Sequence, residues 1–395
     1  MVQPIVLKCR MPTIRVITSV KQAPPEIFAQ SKTPFMSQAF WQALEDSDAI
    51  SPERGWWAQH LLLHNEAQQP IALLPLFAKN HHRGEYVFDQ NWAQAYKENG
   101  LNYYPRLVSC IPFTPVTDER IWLANGIDLE DVLPMFVQGI KQLATQQSAS
   151  SWHTLFLTQA DAATFAKNQP KLAFRQGCQF LWTDHKFDNF DGFLSQMTAK
   201  RRKTIKAERN KIHQMGISCH FIEGKDIQAD DWIFFYQCYQ RTYHVRGQSP
   251  YLSLAFFEQI GLTMPNNVVL EIAQDSLGKK IAAALFFKDA DTLYGRYWGS
   301  LSDVACLHFE VCYYQGITYA LAQGLTHFDP GTQGEHKLLR GFSPVLTHSA
   351  HWLAHPQFMQ AIHEYTELER QHIGEYHRDA MVALPFKHNI NSGSG

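Results

Sequence analysis

Two stretches of this chain carry the same succession of strand signals, and that repetition limits the available folds more than any other feature. From Trp57 to Asp89 the sequence reads WAQHLLLH, a polar turn at Asn65 to Pro70, IALLPLFAK, a turn at His81 to Gly84, and EYVFD. From Asn267 to Ser300 it reads VVLEIAQ, a turn at Asp275 to Lys280, IAAALFFK, a turn at Asp289 to Asp291, and TLYGRYWG. Short apolar and aromatic runs bounded by polar turns predict hairpins. The second strands align as Ile71-Ala72-x-x-x-x-Phe77 against Ile281-Ala282-x-x-x-x-Phe287, which predicts a duplicated lobe. A helix pattern at Leu129 to Thr145 then precedes a strand at Trp152 to Leu157, and one at Ala305 to Ala322 precedes a strand at Thr326 to Asp329. Further helices read at Asp231 to Tyr243, Leu252 to Ile260 and Gln357 to Tyr376. The expected class is α/β with mixed sheets, in two lobes over residues 1–188 and 189–388, followed by a short polar tail over 389–395.

A length of 395 residues supports two such lobes, and 45% hydrophobic against 18% charged residues describes a folded chain rather than a disordered one. The longest apolar run, Ile281 to Phe287, falls far short of the roughly 20 residues a membrane helix needs. Met1 to Val20 mixes Lys8, Arg10 and Arg15 with scattered apolar residues, so no secretory leader is expected. The seven cysteines (Cys9, Cys110, Cys178, Cys219, Cys238, Cys306 and Cys312) are odd in number and form no C-x-x-C pair. That disfavours a disulfide framework or zinc ribbon and predicts reduced thiols in the cytoplasm.

Net charge is −2, yet Lys200 to Lys211 alone holds seven basic residues against Glu208, leaving −8 for the rest of the chain. The helix read there, from Phe190 to Met215 with Gly216 as its C′ residue, offers three readings. It is a solvated charged face, a nucleic-acid contact, or a dock in which Lys200, Arg201, Arg202 and Lys203 hold one anionic small molecule. Aromatic residues do not interleave with these charges, so a single-strand stacking platform is not expected.

Chemistry-bearing residues concentrate after the second set of strands. The strand ending at Gly299, the loop from Ser300 and the following helix form a strand–loop–helix anion site in outline, without a glycine-rich fingerprint. His308 and Glu310 open that helix, while His336, Lys337 and Arg340 follow the turn Pro330-Gly331-Thr332-Gln333-Gly334. Residues beyond strand ends converge on the ligand crevice of an α/β sheet, so the two clusters are expected to meet. Arg296, between Tyr294 and Tyr297, needs a partner, either Glu310 or a substrate carboxylate. H-x-E is not a zinc spacing, and no metal is expected.

GEYVFDQNWAQAY, LNYYPRLVSCIPFTPVT, RRKTIKAERNKI, DTLYGRYWGSLSDVACLHFEVCYYQGITYA and GTQGEHKLLRGFSPVLTHSAHWLA, in this order, resemble the FemAB-like peptidoglycan biosynthesis/recognition family, bacterial N-acyltransferases of the GNAT superfamily. The resemblance implies a tandem acyl-CoA N-acyltransferase fold and transfer of an acyl or aminoacyl group to an amine of a small-molecule or cell-wall-precursor acceptor. It implies acyl-CoA or aminoacyl-tRNA as donor, no tightly bound cofactor and a cytoplasmic location. The GNAT pyrophosphate signature R/Q-x-x-G-x-G/A is absent, since the loop reads GSLSDVACLHF. In this chemistry Glu310 or His308 would act as base, and Tyr297 or backbone N–H groups would serve the oxyanion. Arg296, His336, Lys337 and Arg340 would hold anionic parts of the substrates. A non-catalytic recognition protein for a cell-wall precursor or RNA is the competing reading.

Overall fold

The computed structural model describes residues 12–332 and 334–387. Cys9, Lys8 and Arg10, the turn residue Gln333 and the tail Asn391 to Gly395 lie outside the described residues. One sheet of eleven strands crosses the molecule. Its order is Ser218–Glu223, Val268–Gln274, Lys280–Lys288, Thr292–Ser300, His327–Asp329, Ala173–Thr183, Ser343–Leu353, Ser151–Leu157, Arg106–Ser109, Phe77–Lys79 and Trp56–Ala58. Two pairs in it are parallel, Thr292–Ser300 with His327–Asp329 and Arg106–Ser109 with Ser151–Leu157, and the other neighbours run antiparallel. Each half of the sheet therefore repeats a hairpin, a third antiparallel strand and a parallel partner. A second sheet holds Thr13–Ile17, His60–His64, Pro70–Leu74 and Trp122–Leu123.

The halves are interlocked. Ala173–Thr183 precedes the basic helix in sequence yet pairs with His327–Asp329, and Ser343–Leu353, near the end of the chain, pairs with Ser151–Leu157. These two exchanged strands lie side by side from Ser343–Leu181 to His351–Ala173. Apolar packing continues across the junction, where Phe35 sits 5.1 Å from Tyr294 and Phe40 sits 5.7 Å from Phe256, ring to ring.

The second hairpin forms as its pattern predicts, because Ile281 to Phe287 is buried on both faces and bonds along both edges. Its expected counterpart departs from the pattern. Pro75 cannot donate to a ladder, and the segment breaks there into Pro70–Leu74 in the small sheet and Phe77–Lys79 in the large one. Trp56–Ala58 and His60–His64 divide likewise, and the buried His60 Nδ1 accepts the Leu76 N–H at 3.0 Å within the break. EYVFD is not a strand, for Glu85 and Asp89 are consumed by buried ion pairs with Lys79 and Arg106 and Tyr86 has a φ of 61°. Arg106–Ser109 takes the third position instead.

The helix Leu129–Gln147 buries Val132, Leu133, Phe136, Val137, Ile140 and Ala144, the stripe its spacing predicts. Ala229–His244, Leu254–Thr263 and Pro356–Val382 also match expected helices. The basic helix is two helices, Phe190–Gln196 and Ala199–Gln214. Met197 between them is extended and bridged to Phe386, while Thr198 N–H donates to Pro385. Among the described residues no helix is long and apolar enough to cross a membrane, and Cys110, Cys178, Cys219, Cys238, Cys306 and Cys312 are free thiols.

Candidate active site

The parallel pair in the C-terminal half opens after three residues. Thr292, Leu293 and Tyr294 lie opposite His327, Phe328 and Asp329, and the strands then diverge. A bulge at Leu285/Phe286 leaves Arg296 without an opposite residue, which turns its side chain into the divergence. Its guanidinium binds Asp329 at 2.7 and 3.3 Å, so neither Glu310 nor a free substrate carboxylate is its partner here. Gly331, at a φ of +85°, donates to Asp329 Oδ1 at 2.8 Å and lies so near Gly295 that a Cβ would stand 3.1 Å from its carbonyl. Lys337 reaches back into this turn, donating to the Gly331 and Thr332 carbonyls at 2.5 and 3.0 Å. Burial lowers its ammonium to about 8.

The helix beside the divergence starts as Leu307–Phe309, passes through a π-helical turn at Glu310–Tyr314 and continues as Gln315–Gln323. His308 is boxed by aromatic rings, with centroids 5.3 Å from Trp298, 5.2 Å from Tyr313 and 6.1 Å from His336. The Tyr313 hydroxyl and His336 Nε2 share a hydrogen bond of 2.9 Å. Burial first, then the positive surroundings of His336, Lys337, Arg340 and Arg246, depress His308 to about 4. Burial with Arg340 and Lys337 lowers His336 too. Both rings are neutral at neutral pH and present an acceptor nitrogen.

Thus His308 and His336 meet as expected, and Glu310 does not join them. Its carboxylate accepts from Arg209 Nε at 3.2 Å on both oxygens, from Arg209 Nη2 at 3.0 Å and from Gln315 Nε2 at 2.8 Å. Arg340 is likewise committed. It binds both oxygens of Glu208 at 2.9 and 3.0 Å, donates to the Tyr314 hydroxyl at 2.9 Å, and stacks 3.4 Å above the Phe309 ring. Tyr297 is buried between Tyr239 and Phe257, ring centroids 5.5 and 5.6 Å away. Gly299 serves close packing, since a Cβ there would stand 1.9 Å from the Cys238 carbonyl oxygen. The Ser300 hydroxyl is engaged by the Ile281 carbonyl of the neighbouring strand and by Ser302 in its own loop.

On the basic helix, Lys200 is exposed, Arg201 half-buried, and the half-buried Arg202 donates to the Met197 carbonyl at 3.1 Å. Ile205 and Ile212 face inward with Glu208 and Arg209 between them. Sequence reasoning missed Tyr313, Asp329, Glu208, Arg209 and Arg246. Asp329 was within reach, because a parallel partner sets it beside Tyr294 and the Arg296 bulge. Tyr313 was not, because residues five apart do not share a face of an α-helix.

The family model FemAB-like, described as peptidoglycan biosynthesis/recognition, matches residues 16–388. The chain belongs to the FemAB-like family. The fold of this FemAB-like chain is tandem GNAT-like, two mixed α/β units side by side. It superposes on FemX with a TM-score of 0.52 at 12% identity, over 89% of this chain and 100% of that one. The C-terminal DUF2156 domain of an Agrobacterium fabrum protein named as a lysylphosphatidylglycerol synthetase gives 0.50 at 11% identity, over 88% and 96%. A tandem GNAT protein from the clavulanic acid biosynthesis pathway, without AcCoA, gives 0.42 at 8% identity, over 87% and 99%. No curated protein matches the chain.

Proposed function

We propose that this FemAB-like protein is a cytoplasmic acyl- or aminoacyltransferase acting on an amine. The observation that carries the reading is the His308–Tyr313–His336 cluster, two neutral imidazoles and a hydroxyl beside the open end of a parallel strand pair. An amine nitrogen attacks the acyl carbonyl of a thioester or ester. The C–N bond forms, the C–S or C–O bond breaks, and the amine proton passes to an imidazole and then to the leaving sulfur or oxygen. His308 takes the base role, since both Glu310 oxygens are engaged by Arg209. The family description supports a cell-wall-precursor acceptor. The name of the A. fabrum protein adds aminoacyl transfer as the chemistry to try first.

The donor is acyl-CoA or aminoacyl-tRNA, with no tightly bound cofactor, and the exposed basic helix supports a polyanionic carrier. Arg296, Lys337 and Arg340 each have an internal partner, which favours a role in shaping the turn over direct anchoring of a free anion. The test is incubation of the purified protein with cell metabolites, a panel of acyl-CoAs and charged tRNAs, followed by mass spectrometry. A metabolite gaining an acyl or aminoacyl mass with wild type and not with His308→Ala is expected. No gain with any donor would favour the recognition protein instead.

A further inference from the structure

We propose that Arg209 and Glu310 are a positioning pair that holds the site helix in π register at residues 310–314, and that this register assembles His308, Tyr313 and His336 into one cluster. The inference rests on the reading of that cluster as the site, but the assembly itself can be tested without a donor. In an α-helix with 3.6 residues per turn, residues five apart point about 140° away from one another. His308 and Tyr313 are five apart, yet their rings lie 5.2 Å from one another. The π turn accounts for this. Gln315 N–H bonds to the Glu310 carbonyl, an i→i+5 bond whose wider turn carries Tyr313 back over His308 and within 2.9 Å of His336.

Such turns are rare and occur mostly as single turns inside α-helices, so one that persists calls for contacts that hold it. Glu310 is its first residue, and its carboxylate is held from two directions. Gln315 Nε2 bonds it at 2.8 Å across the same five-residue span as the backbone bond. Arg209 approaches from the neighbouring helix with its guanidinium laid 4.4 Å over the Phe190 ring, so the cation itself is fixed. Near Glu310 lies the fully buried Glu271, whose carboxyl is pushed up by burial first and then by the charge of Glu310. Without Arg209, Glu310 would keep the Gln315 amide but lose its cation, as a charge close to a second buried carboxyl group. It could regain water by rewinding the turn into α register, which swings Tyr313 away from His308. Glu208 braces the other side of the cluster by binding Arg340 in the segment that carries His336. Two consecutive residues of one helix thus fix both components.

The test is titration of the histidine ring protons by NMR in wild type, Arg209→Met, Arg209→Lys and Glu310→Asp. His308 faces His336, Lys337 and Arg340 from the segment after the turn and Arg246 from just past the end of Ala229–His244, and is depressed to about 4, by burial first and then by these neighbours. In Arg209→Met we expect its midpoint to rise by about one to two pH units toward the ordinary histidine value, with loss of the Tyr313 ring-current shift. Arg209→Lys, which keeps the charge, should recover part of that change. Glu310→Asp withdraws the carboxylate by one methylene and should move His308 in the same direction, which covers the case of an Arg209→Met protein that does not fold. An unmoved His308 titration in folded Arg209→Met or in Glu310→Asp overturns the inference. Wild-type-like assembly in a protein that transfers no acyl group would instead count against the proposed activity alone.

Discussion

The two parallel strand pairs of the large sheet open toward the same kind of gap, and the chain treats the two gaps differently. In the N-terminal half, the segment after Arg106–Ser109 turns back into the gap, and Asp118 N–H donates to the Phe156 carbonyl at 3.1 Å. Arg120 seals it, donating to the Leu155 and Phe156 carbonyls at 2.6 and 2.8 Å and to that of Val116. In the C-terminal half the gap past Tyr294 is bordered by the Arg296–Asp329 pair and by two reachable histidines. The histidine pairs repeat the contrast. His153 and His351 share an Nδ1–Nδ1 hydrogen bond of 2.8 Å and are fully buried, with Ser151 and Ser349 on their other nitrogens. His308 and His336 keep contact with solvent. One half of the duplicated scaffold therefore uses its polar groups for cohesion, and the other leaves them where a substrate can meet them.

Cohesion is where substitution should cost most. Arg106 is buried between Glu85 and Asp89, and the latter also accepts from the Tyr103 hydroxyl. Arg106→Met leaves two buried carboxylates short of a cation and should lower unfolding free energy by about 3–5 kcal/mol in urea titrations. Arg296→Met should cost about 2 kcal/mol, because its partner Asp329 is still touched by water. Equal losses would break the contrast between a sealed half and an open one.

The next effect is on chemistry. His308→Ala should lower kcat by about 10²-fold, the usual scale of a general base, with urea stability little changed. His153→Ala should do the reverse, destabilising the fold by removing a buried ring that bridges the exchanged strand, while the folded fraction keeps its kcat. Rate measurements on both variants, normalised to folded protein, separate the two histidine pairs.

How far the sequence announced this division differs between the halves. The C-terminal strands were legible because Val268–Gln274 and Lys280–Lys288 are mostly apolar, the latter unbroken from Ile281 to Phe287, and Thr292–Ser300 follows a short turn. Their N-terminal counterparts bend between two sheets at Gln59 and Pro75, and a local apolar pattern does not report which sheet a strand enters. Strand-end reasoning brought His308 to His336 correctly. It failed for Glu310, because residues two apart on a helix do not share a face, so with His308 in the cluster Glu310 points to Arg209 instead. Arg209 and Glu208 were hidden among the charges of the basic run, with only the buried Ile205 and Ile212, seven residues apart, marking the inward face.

A pH experiment sharpens the sealed side. His60 is completely buried and depressed by burial to about 4, against an ordinary value near 6.5. The folded form therefore binds its proton later than the unfolded form does as pH falls. The stability tied to this neutral ring is fully present above about pH 6.5 and is lost as pH drops toward 4, by about 1.4 kcal/mol per pH unit. Half-buried Asp161, raised by desolvation to about 6, acts in the opposite sense, so the wild-type profile alone mixes such contributions. The difference between wild type and His60→Asn isolates the ring, and should shrink or reverse between pH 6.5 and 4. A difference independent of pH would mean that the ring is hydrated.

The smallest effect concerns the open side. His308 is held low by burial first and then by its neighbours His336, Lys337, Arg340 and Arg246, and the charges of the lysine and the two arginines are what an anionic substrate would offset. An imidazole with so low a value is a weak base until its surroundings are neutralised, so substrate binding itself should strengthen it. Pyrophosphate is a convenient probe, being polyanionic and non-acylating. Adding it should raise the His308 midpoint by about half a pH unit, a size set by charges interacting at a solvent-touched site rather than in a dry interior. His153 and His351 should not respond, because no path leads an ion to them and Arg106 and Arg175, the cations that depress them, are paired internally. The same NMR titration reads all four rings in one sample. If the buried pair shifts as far as His308, the effect is general ionic screening and the two halves are not distinct in access. If only His308 and His336 move, the opened strand pair is the one that meets the anion.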